Sequence, residues 1–559
     1  MSEQTSIHTV DIDKVLPGDP WAECRVDSDP STRSGLGFFQ RMAPMSPLVL
    51  VVLVLARVGQ PEAAADPSYV AAVYEHRVVL NPEPRVPVTR REALLHMHRN
   101  LDVYEHAAAR AARHGAQILV FPEDGIHGFN YTRSSISGYL ETVPDPHEER
   151  WNPCTEPGRH NDTEVLQRLS CMARRHGLYL VANMADLQPC PLTTDPSSVC
   201  PPDGRWQFNT NVVFSSDGLL VARYHKNNLY FEEAFDTPPQ TEVVTFETPF
   251  AGRFGLIICF DILFRDPTVT LVERGVRQLI FPTAWMNQLP LLDAVQFQWA
   301  FSLGANVSLL AANIRNDRLI MTGSGIFSPA SATYHHAARG EPEEGRLLVA
   351  RVPVLDPLWA GGGGASGGPT GSGFCPADGC VGPRPSSAAS LDPPPQQDSF
   401  ISSMMYDPFR FVLLGRAGGE VGVCDGAFCC RLRYEWESPG GGVELYALGA
   451  FAGTHTVNGR YALQVCAVVR CAASEPGSCG QQVEEAESRM AFTLEGVFDT
   501  GYVYPTVLAS RHVLERPEQL RKSAEGRVVL QHSNMTAGLV TACLYGRMYH
   551  MDSEGAALE

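Results

Sequence analysis

The sequence predicts an α/β domain built on a substantial sheet, followed by a smaller disulfide-rich β domain. Three observations carry this. Strand-like and helix-like patterns alternate repeatedly between positions 69 and 354, a Gly/Pro/Ser-rich stretch at 357–399 breaks the periodicity, and short β-type runs between Gly-rich turns follow it with six closely spaced cysteines. With 559 residues, 44% hydrophobic and 19% charged, the chain can bury two cores.

In chain order, residues 1–65 read as a leader. "RMAPMSPLVLVVLVLARVGQPEAAAD" joins a basic residue, an apolar core at 48–56 and small residues at Ala63 and Ala65, the pattern of a secretory signal peptide cleaved after Ala65. The core is too short for a bilayer span, and an anchor helix is the competing reading. The polar stretch ahead of it exceeds an ordinary n-region, and a start at Met42 or Met45 would remove most of the excess. Residues 66–356 then hold the first domain. "YVAAVYEH" is a strand, "REALLHMHRNLDVYEHAAARAARHG" an amphipathic helix, and "QILVFPE" a strand. "TEVLQRLSCMARRHG" and "LYLVANM" form a helix and a strand, "TNVVFSSDGLLVARYHK" a hairpin, and "RQLIFPTAW" with "LLDAVQFQWAFSLGA" another strand and helix. Strands near "SLLAANI", "GSGIFSP" and "GRLLVARV" close the domain. Residues 357–399 read as a flexible linker, 400–552 as the β domain with the runs "FRFVLLG", "GVCDGAFCCRLRYEW", "ELYALGAF", "YALQVCAVVRC" and "MAFTLEGVF", and 553–559 as a polar tail.

A net charge of −18 without any Lys/Arg cluster argues against a nucleic-acid partner. Entry into an oxidising compartment would pair most of the fifteen cysteines, among them Cys190 with Cys200 and the group Cys424, Cys429, Cys430, Cys466, Cys471 and Cys479. Zinc is the rival reading of such a group, but C-x-x-C pairs with zinc-type histidine spacing are missing. With Cys24 lost in the leader and Cys259 free, an odd thirteen remain, so a further thiol, with Cys543 the candidate, stays unpaired. Sequons at Asn130, Asn161 and Asn534 fall in surface segments and are expected to carry glycans; Asn306 opens "VSLLAANI" and is expected to be buried and bare.

The stretch "GLIICFDILF", residues 255–264, runs an apolar strand into a lone cysteine and then into Phe260 and Asp261. Cys259 reads either as a small core residue or as a nucleophile at a strand-to-helix turn. On the second reading "FDILFRDPTVTLVERG" is the helix, and its N–H groups lower the thiol pKa and offer donors to an oxyanion. Two further polar groups stand at strand ends: Glu123 closes "ILVFPE" and Lys226 closes "LLVARYHK", with Glu232 soon after. In α/β sheets, chemistry collects at the carboxyl ends of strands.

At this point the chain resembles the nitrilase superfamily, whose catalytic set is a glutamate, a lysine and a cysteine at such strand ends. "FPEDGIHGFN", "HKNNLYFEEAFD", "ICFDILFRDP", "PTAWMNQLPLL" and "MTGSGI" are similar to the biotinidase and pantetheinase (vanin) branch, and "NLYFE", "WMNQLPLL" and "GLVTACLYGRMY" to its biotinidase side. The resemblance implies a four-layer αββα sandwich for the first domain. It also implies catalytic roles for Glu123, Lys226 and Cys259, with Glu232 as a second glutamate and Glu233 its rival. Glu123 would serve as base and acid, Cys259 as nucleophile, and Lys226 with the Phe260 N–H as oxyanion holders. Trp285, Met286 and Asn287 shape the acyl pocket on one reading; on the other, Trp285 and Met286 are core. His127 and His225 read as supporting groups rather than as a Cys-His dyad. No cofactor or metal is implied.

The substrates implied by resemblance are biotin amides, biocytin and short biotinyl peptides, cleaved by a secreted glycoprotein. A pantetheinase is the second reading, and a non-catalytic biotin-binding glycoprotein the third. The chain ends "LYGRMYHMDSEGAALE", polar and acidic, so no stable membrane anchor is expected.

Overall fold

The computed structural model describes residues 67–190, 199–355, 398–437 and 444–552. The leader at 1–65, nearly all of the 357–399 linker with Cys375 and Cys380, and the 553–559 tail lie outside the described residues. Among those described, no helix is long and apolar enough to cross a membrane.

The first domain contains twelve described strands: β1 (Ser68–Glu75), β2 (Ile118–Val120), β3 (Tyr179–Pro189), β4 (Arg205–Phe214), β5 (Leu220–His225), β6 (Thr245–Thr248), β7 (Gly252–Leu256), β8 (Gln278–Pro282), β9 (Ser308–Ala312), β10 (Ser324–Phe327), β11 (Ala332–His335) and β12 (Arg346–Pro353). They form two six-stranded sheets, ordered β12-β1-β2-β3-β4-β5 and β11-β10-β9-β8-β7-β6. Period-two alternation explains the layering. On β1, Ala71 and Val73 face the second sheet, joining Ile118, Val120, Phe254, Leu256 and Ile280 in the inter-sheet core. Ala72 and Tyr74 face the other way, onto α1 (Arg90–Arg113) and α2 (Glu164–His176), where Met97, Leu101, Tyr104 and Leu169 meet them. The capping box of Thr89 and Glu92 starts α1, and Gly177 in the left-handed region ends α2.

Across the second sheet lie α3 (Thr270–Glu273) and α4 (Ala294–Ala305). Helix α4 is apolar on nearly all sides, which suits a helix buried on both faces. One face packs on the sheet, and Phe297 and Phe301 meet Tyr504 of the second domain at 5.9 and 5.2 Å between ring centroids. The sandwich is therefore αββα, with its last layer covered.

The second domain holds β13 (Ser399–Met404), β14 (Asp407–Leu413), β15 (Gly419–Asp425), β16 (Phe428–Trp436), β17 (Tyr446–His455), β18 (Tyr461–Arg470), β19 (Met490–Val497), β20 (Val503–Ala509), β21 (Val513–Leu514), β22 (Gln519–Lys522), β23 (Arg527–His532) and β24 (Leu539–Arg547). Seven strands, β13-β14-β17-β18-β24-β20-β21, face five, β15-β16-β19-β23-β22. Leu448, Val468 and Leu544 of the first sheet share a core with Leu432 and Leu494 of the other. Disulfides join Cys154 to Cys171, Cys190 to Cys200, Cys424 to Cys429, Cys430 to Cys466 and Cys471 to Cys479. Among the described residues Cys259 and Cys543 are free and buried.

Two sequence expectations are corrected. The helix predicted over "FDILFRDPTVTLVERG" is a five-residue 3-10 turn, Cys259–Leu263, then extended backbone at Phe264, and regular α-helix only from Thr270. Pro267 is the cause: it lacks an N–H and pushes Asp266 out of the helical region, to φ −105° and ψ 128°. Asn306 is exposed, not buried, because it caps α4 in the left-handed conformation that asparagine tolerates; burial begins at Val307.

Candidate active site

Three strand ends bring the predicted residues together. β2 leads through Phe121 and Pro122 to Glu123, β5 ends one residue before Lys226, and β7 leads into Cys259. Glu123 and Lys226 are each 2% exposed and Cys259 is 7% exposed, so the constellation is buried where a single unpaired charge would be prohibitive. The Lys226 ammonium donates to Glu123 Oε1 at 2.7 Å and, in a shorter contact, to Glu232. Burial alone would lower the Lys226 pKa; the carboxylates of Glu123 and Glu232 outweigh it and hold the ammonium charged. Glu233 points elsewhere, exposed and paired with Arg85, so Glu232 is the partner.

Cys259 adopts φ 43°, a left-handed conformation rare for a residue with a side chain. Asp261 holds this elbow. It accepts from the Ile258 N–H at 2.9 Å, from the Tyr224 hydroxyl at 2.7 Å and from the backbone and side-chain nitrogens of Asn228 at 2.9 and 2.8 Å. The Phe-Asp pair after the cysteine thus ties the Cys259 turn to the strand and loop that carry Lys226.

The sequence-based expectation of a lowered thiol pKa is corrected. Burial pushes Cys259 well above the ordinary thiol value, and the Glu123 charge adds to this; Lys226, the Thr283 hydroxyl and the Ala284 N–H act in the opposite sense without prevailing. A five-residue 3-10 turn supplies no long helix dipole to offset desolvation. The surroundings of Cys259 thus favour the neutral thiol.

Several residues at this centre were not singled out in the sequence. Asn209 on β4 donates to Glu123 Oε1 at 2.9 Å and to Glu232 at 2.7 Å, while its oxygen accepts from Asn183 at 2.6 Å. The Ala284 N–H donates to Glu123 Oε2 at 2.9 Å. Asp124 is also buried, and desolvation, followed by the repulsion of Glu123 and Glu232, raises its pKa well above the carboxylate range. The available signal for Asn209 was "FNTNVVF", which puts Asn209 and Asn211 on one face of a strand that ends in an apolar run.

The pocket residues divide. Trp285 is buried in the core, its indole N–H on the Leu292 carbonyl at 2.9 Å and its ring stacked on Phe297; Met286 is half-buried. Asn287 spends its amide on the Thr322 carbonyl and the Ala294 N–H, at 3.1 and 2.8 Å, and so supports the start of α4. His225 is held between Asp186 and Glu242 at 2.8 Å each, and His127 bonds the Gly128 carbonyl. Asn130, Asn161 and Asn534 are exposed.

Elsewhere Asp293, His336 and His512 approach within 4.8 Å. The two imidazoles stack face to face at 3.6 Å between centroids, so their lone pairs run side by side instead of converging on one ion. Asp293 lies 3.1 Å from His336 and 3.5 Å from His512, bridging the two domains.

Both domains match known families. The Carbon-nitrogen hydrolase family matches residues 94–313, and the Vanin C-terminal domain matches residues 398–552. The chain is 68% identical over 494 residues to the biotinidase of Takifugu rubripes, covering 88% of this chain and 96% of that one. It is 48% identical over 514 residues to the biotinidase of Bos taurus, 89% and 95% of the two chains. To the pantetheinase of Sus scrofa it is 42% identical over 521 residues, 92% and 94% of the two chains. With a buried cysteine, glutamate and lysine at three strand ends and likeness running through both domains, the chain is an amide C–N hydrolase that belongs to the biotinidase family.

Proposed function

We propose that the enzyme releases biotin from biocytin and short biotinyl peptides through a thioester on Cys259. The observation that carries the mechanism is Glu123, fixed by Lys226, Asn209 and the Ala284 N–H beside a thiol that burial keeps neutral. Glu123 takes the Sγ proton as the sulfur attacks the amide carbonyl carbon. The C=O electron pair moves to oxygen, where Lys226 and the Phe260 N–H stabilise it. Collapse of the tetrahedral species breaks the C–N bond, and Glu123 passes its proton to the leaving amine. Water, deprotonated by Glu123, then attacks the thioester, and the acid leaves as the thiol is restored. Glu232 keeps Lys226 charged and oriented throughout.

The acyl group follows from the likeness to biotinidases at 68% and 48% identity. Pantetheinases, at 42–43% identity, supply the second reading. A comparison of kcat/KM on biocytin and pantetheine tests it. A site that hydrogen-bonds a buried ureido ring rejects an acyl group lacking it by roughly 10⁴. Faster turnover of pantetheine would reject the substrate assignment and leave the roles of Glu123, Lys226 and Cys259 intact. Secretion with glycans on Asn130, Asn161 and Asn534 fits the five disulfides and those exposed sequons.

A further inference from the structure

The second domain reaches the Cys259 turn with one hairpin tip, and a second tip is tied to the first. β13 and β14 are joined by a two-residue turn, Met405–Tyr406, since Met404 pairs directly with Asp407. The β17–β18 tip carries Gly459, where an added Cβ would stand 2.8 Å from Cζ of Phe260, so this tip lies against the residue that follows the nucleophile. A buried contact of 2.8 Å between Asp407 and His455 ties the two hairpins together. Met405 packs beside Leu291 and Leu292, the segment that anchors the Trp285 indole.

Two large aromatic residues at this place break ordinary rules. Tyr406 is 61% exposed and Phe231 is 64% exposed, and they hold φ at 70° and 51°. A two-residue hairpin turn with positive φ at both positions is normally Asn-Gly, and Met405 at φ 53° beside Tyr406 is a costly substitute. Bulky residues kept in such conformations cluster at ligand clamps. Tyr230 links Phe231 to the residue after Cys259, its ring 4.9 Å from Phe231 and 5.0 Å from Phe260.

We propose that Phe231 of the first domain and Tyr406 of the second are the two aromatic walls of the acyl-binding slot, so that the second domain helps to select the acyl group. A fused bicyclic urea offers a planar, amide-like face for stacking, whereas a branched, tetrahedral acyl chain does not. The inference rests on the biotin-amide reading. The test uses the full-length enzyme with p-nitrophenyl esters of biotin and of butyric acid, which share a leaving group and differ in the ring. For Tyr406→Ala and for Phe231→Ala, the ratio of kcat/KM for the biotin ester over the butyrate ester should fall about fivefold, chiefly through KM. Tyr406→Trp should keep most of the ratio. Tyr406→Gly should lower it with no fall in Tm, because glycine adopts this φ without strain. A ratio unchanged within about twofold, or equal losses on both esters together with a lower Tm, would overturn the proposal. Failure of the wild type to cleave biocytin would instead reject the substrate reading, and the ester ratio would still decide whether these residues form the walls.

Discussion

Replacing Lys226 by methionine keeps the unbranched stem and removes the charge. The ammonium is 2% exposed and joins Glu123 at 2.7 Å to Glu232, and both carboxylates share Asn209 as a neutral donor. Without the cation two buried carboxylates face each other, and removing one partner of a buried ion cluster costs about 3–5 kcal/mol. The pair can relieve this by holding one proton between them, since like charges at that distance cannot both ionise. The shared proton then has a folded-state pKa above the unfolded value. The relief it brings is complete below the unfolded pKa and is lost as pH rises through the folded one. Lys226→Met should therefore be destabilised by about 3–5 kcal/mol at pH 8 and by roughly 1–2 kcal/mol less at pH 5. Adding Glu232→Gln removes one of the opposed charges and should recover about half the loss at pH 8. Urea unfolding of wild type, single and double variants at both pH values measures this, and kcat/KM on biocytin should fall by about 10²–10³ or more with loss of the oxyanion partner. Wild-type stability for Lys226→Met at pH 8, or a double variant no more stable than the single, would refute the buried-triad argument.

Cys259→Ala should lose about 10⁴-fold or more in turnover yet unfold within ~1 kcal/mol of wild type, because a neutral thiol leaves no orphaned charge; substantial residual turnover would remove Cys259 from the nucleophile's role. Asp261→Ala should cost about 3 kcal/mol and most of the activity, since the Ile258 N–H and the Tyr224 hydroxyl lose their acceptor and the elbow loosens; a urea midpoint equal to wild type would contradict that. Peptide mass mapping before and after deglycosylation should find glycans on Asn130, Asn161 and Asn534, and an unmodified Asn534 would count against its accessibility.

Periodicity alone determined the alternating first domain and the β-rich second one, because buried strands and amphipathic helices imprint their repeat on consecutive residues. Glu123, Lys226 and Cys259 were legible for a related reason: each stands where an apolar run stops, and the flanking words resemble one family. Other features depended on atoms far apart in the chain. Nothing local distinguishes Glu232 from Glu233; only the path of the loop sends one to Lys226 and the other to Arg85. The Asn183–Asn209–Glu123 ladder joins three strands, and Cys154 meets Cys171 only because a loop folds back onto α2. The thiol's protonation was misjudged because desolvation depends on how much protein surrounds a group, a quantity set by packing and not by its neighbours in sequence. For the same reason the hairpin tip at Gly459 was silent in the sequence: its place beside Phe260 exists only once the second domain docks on α4.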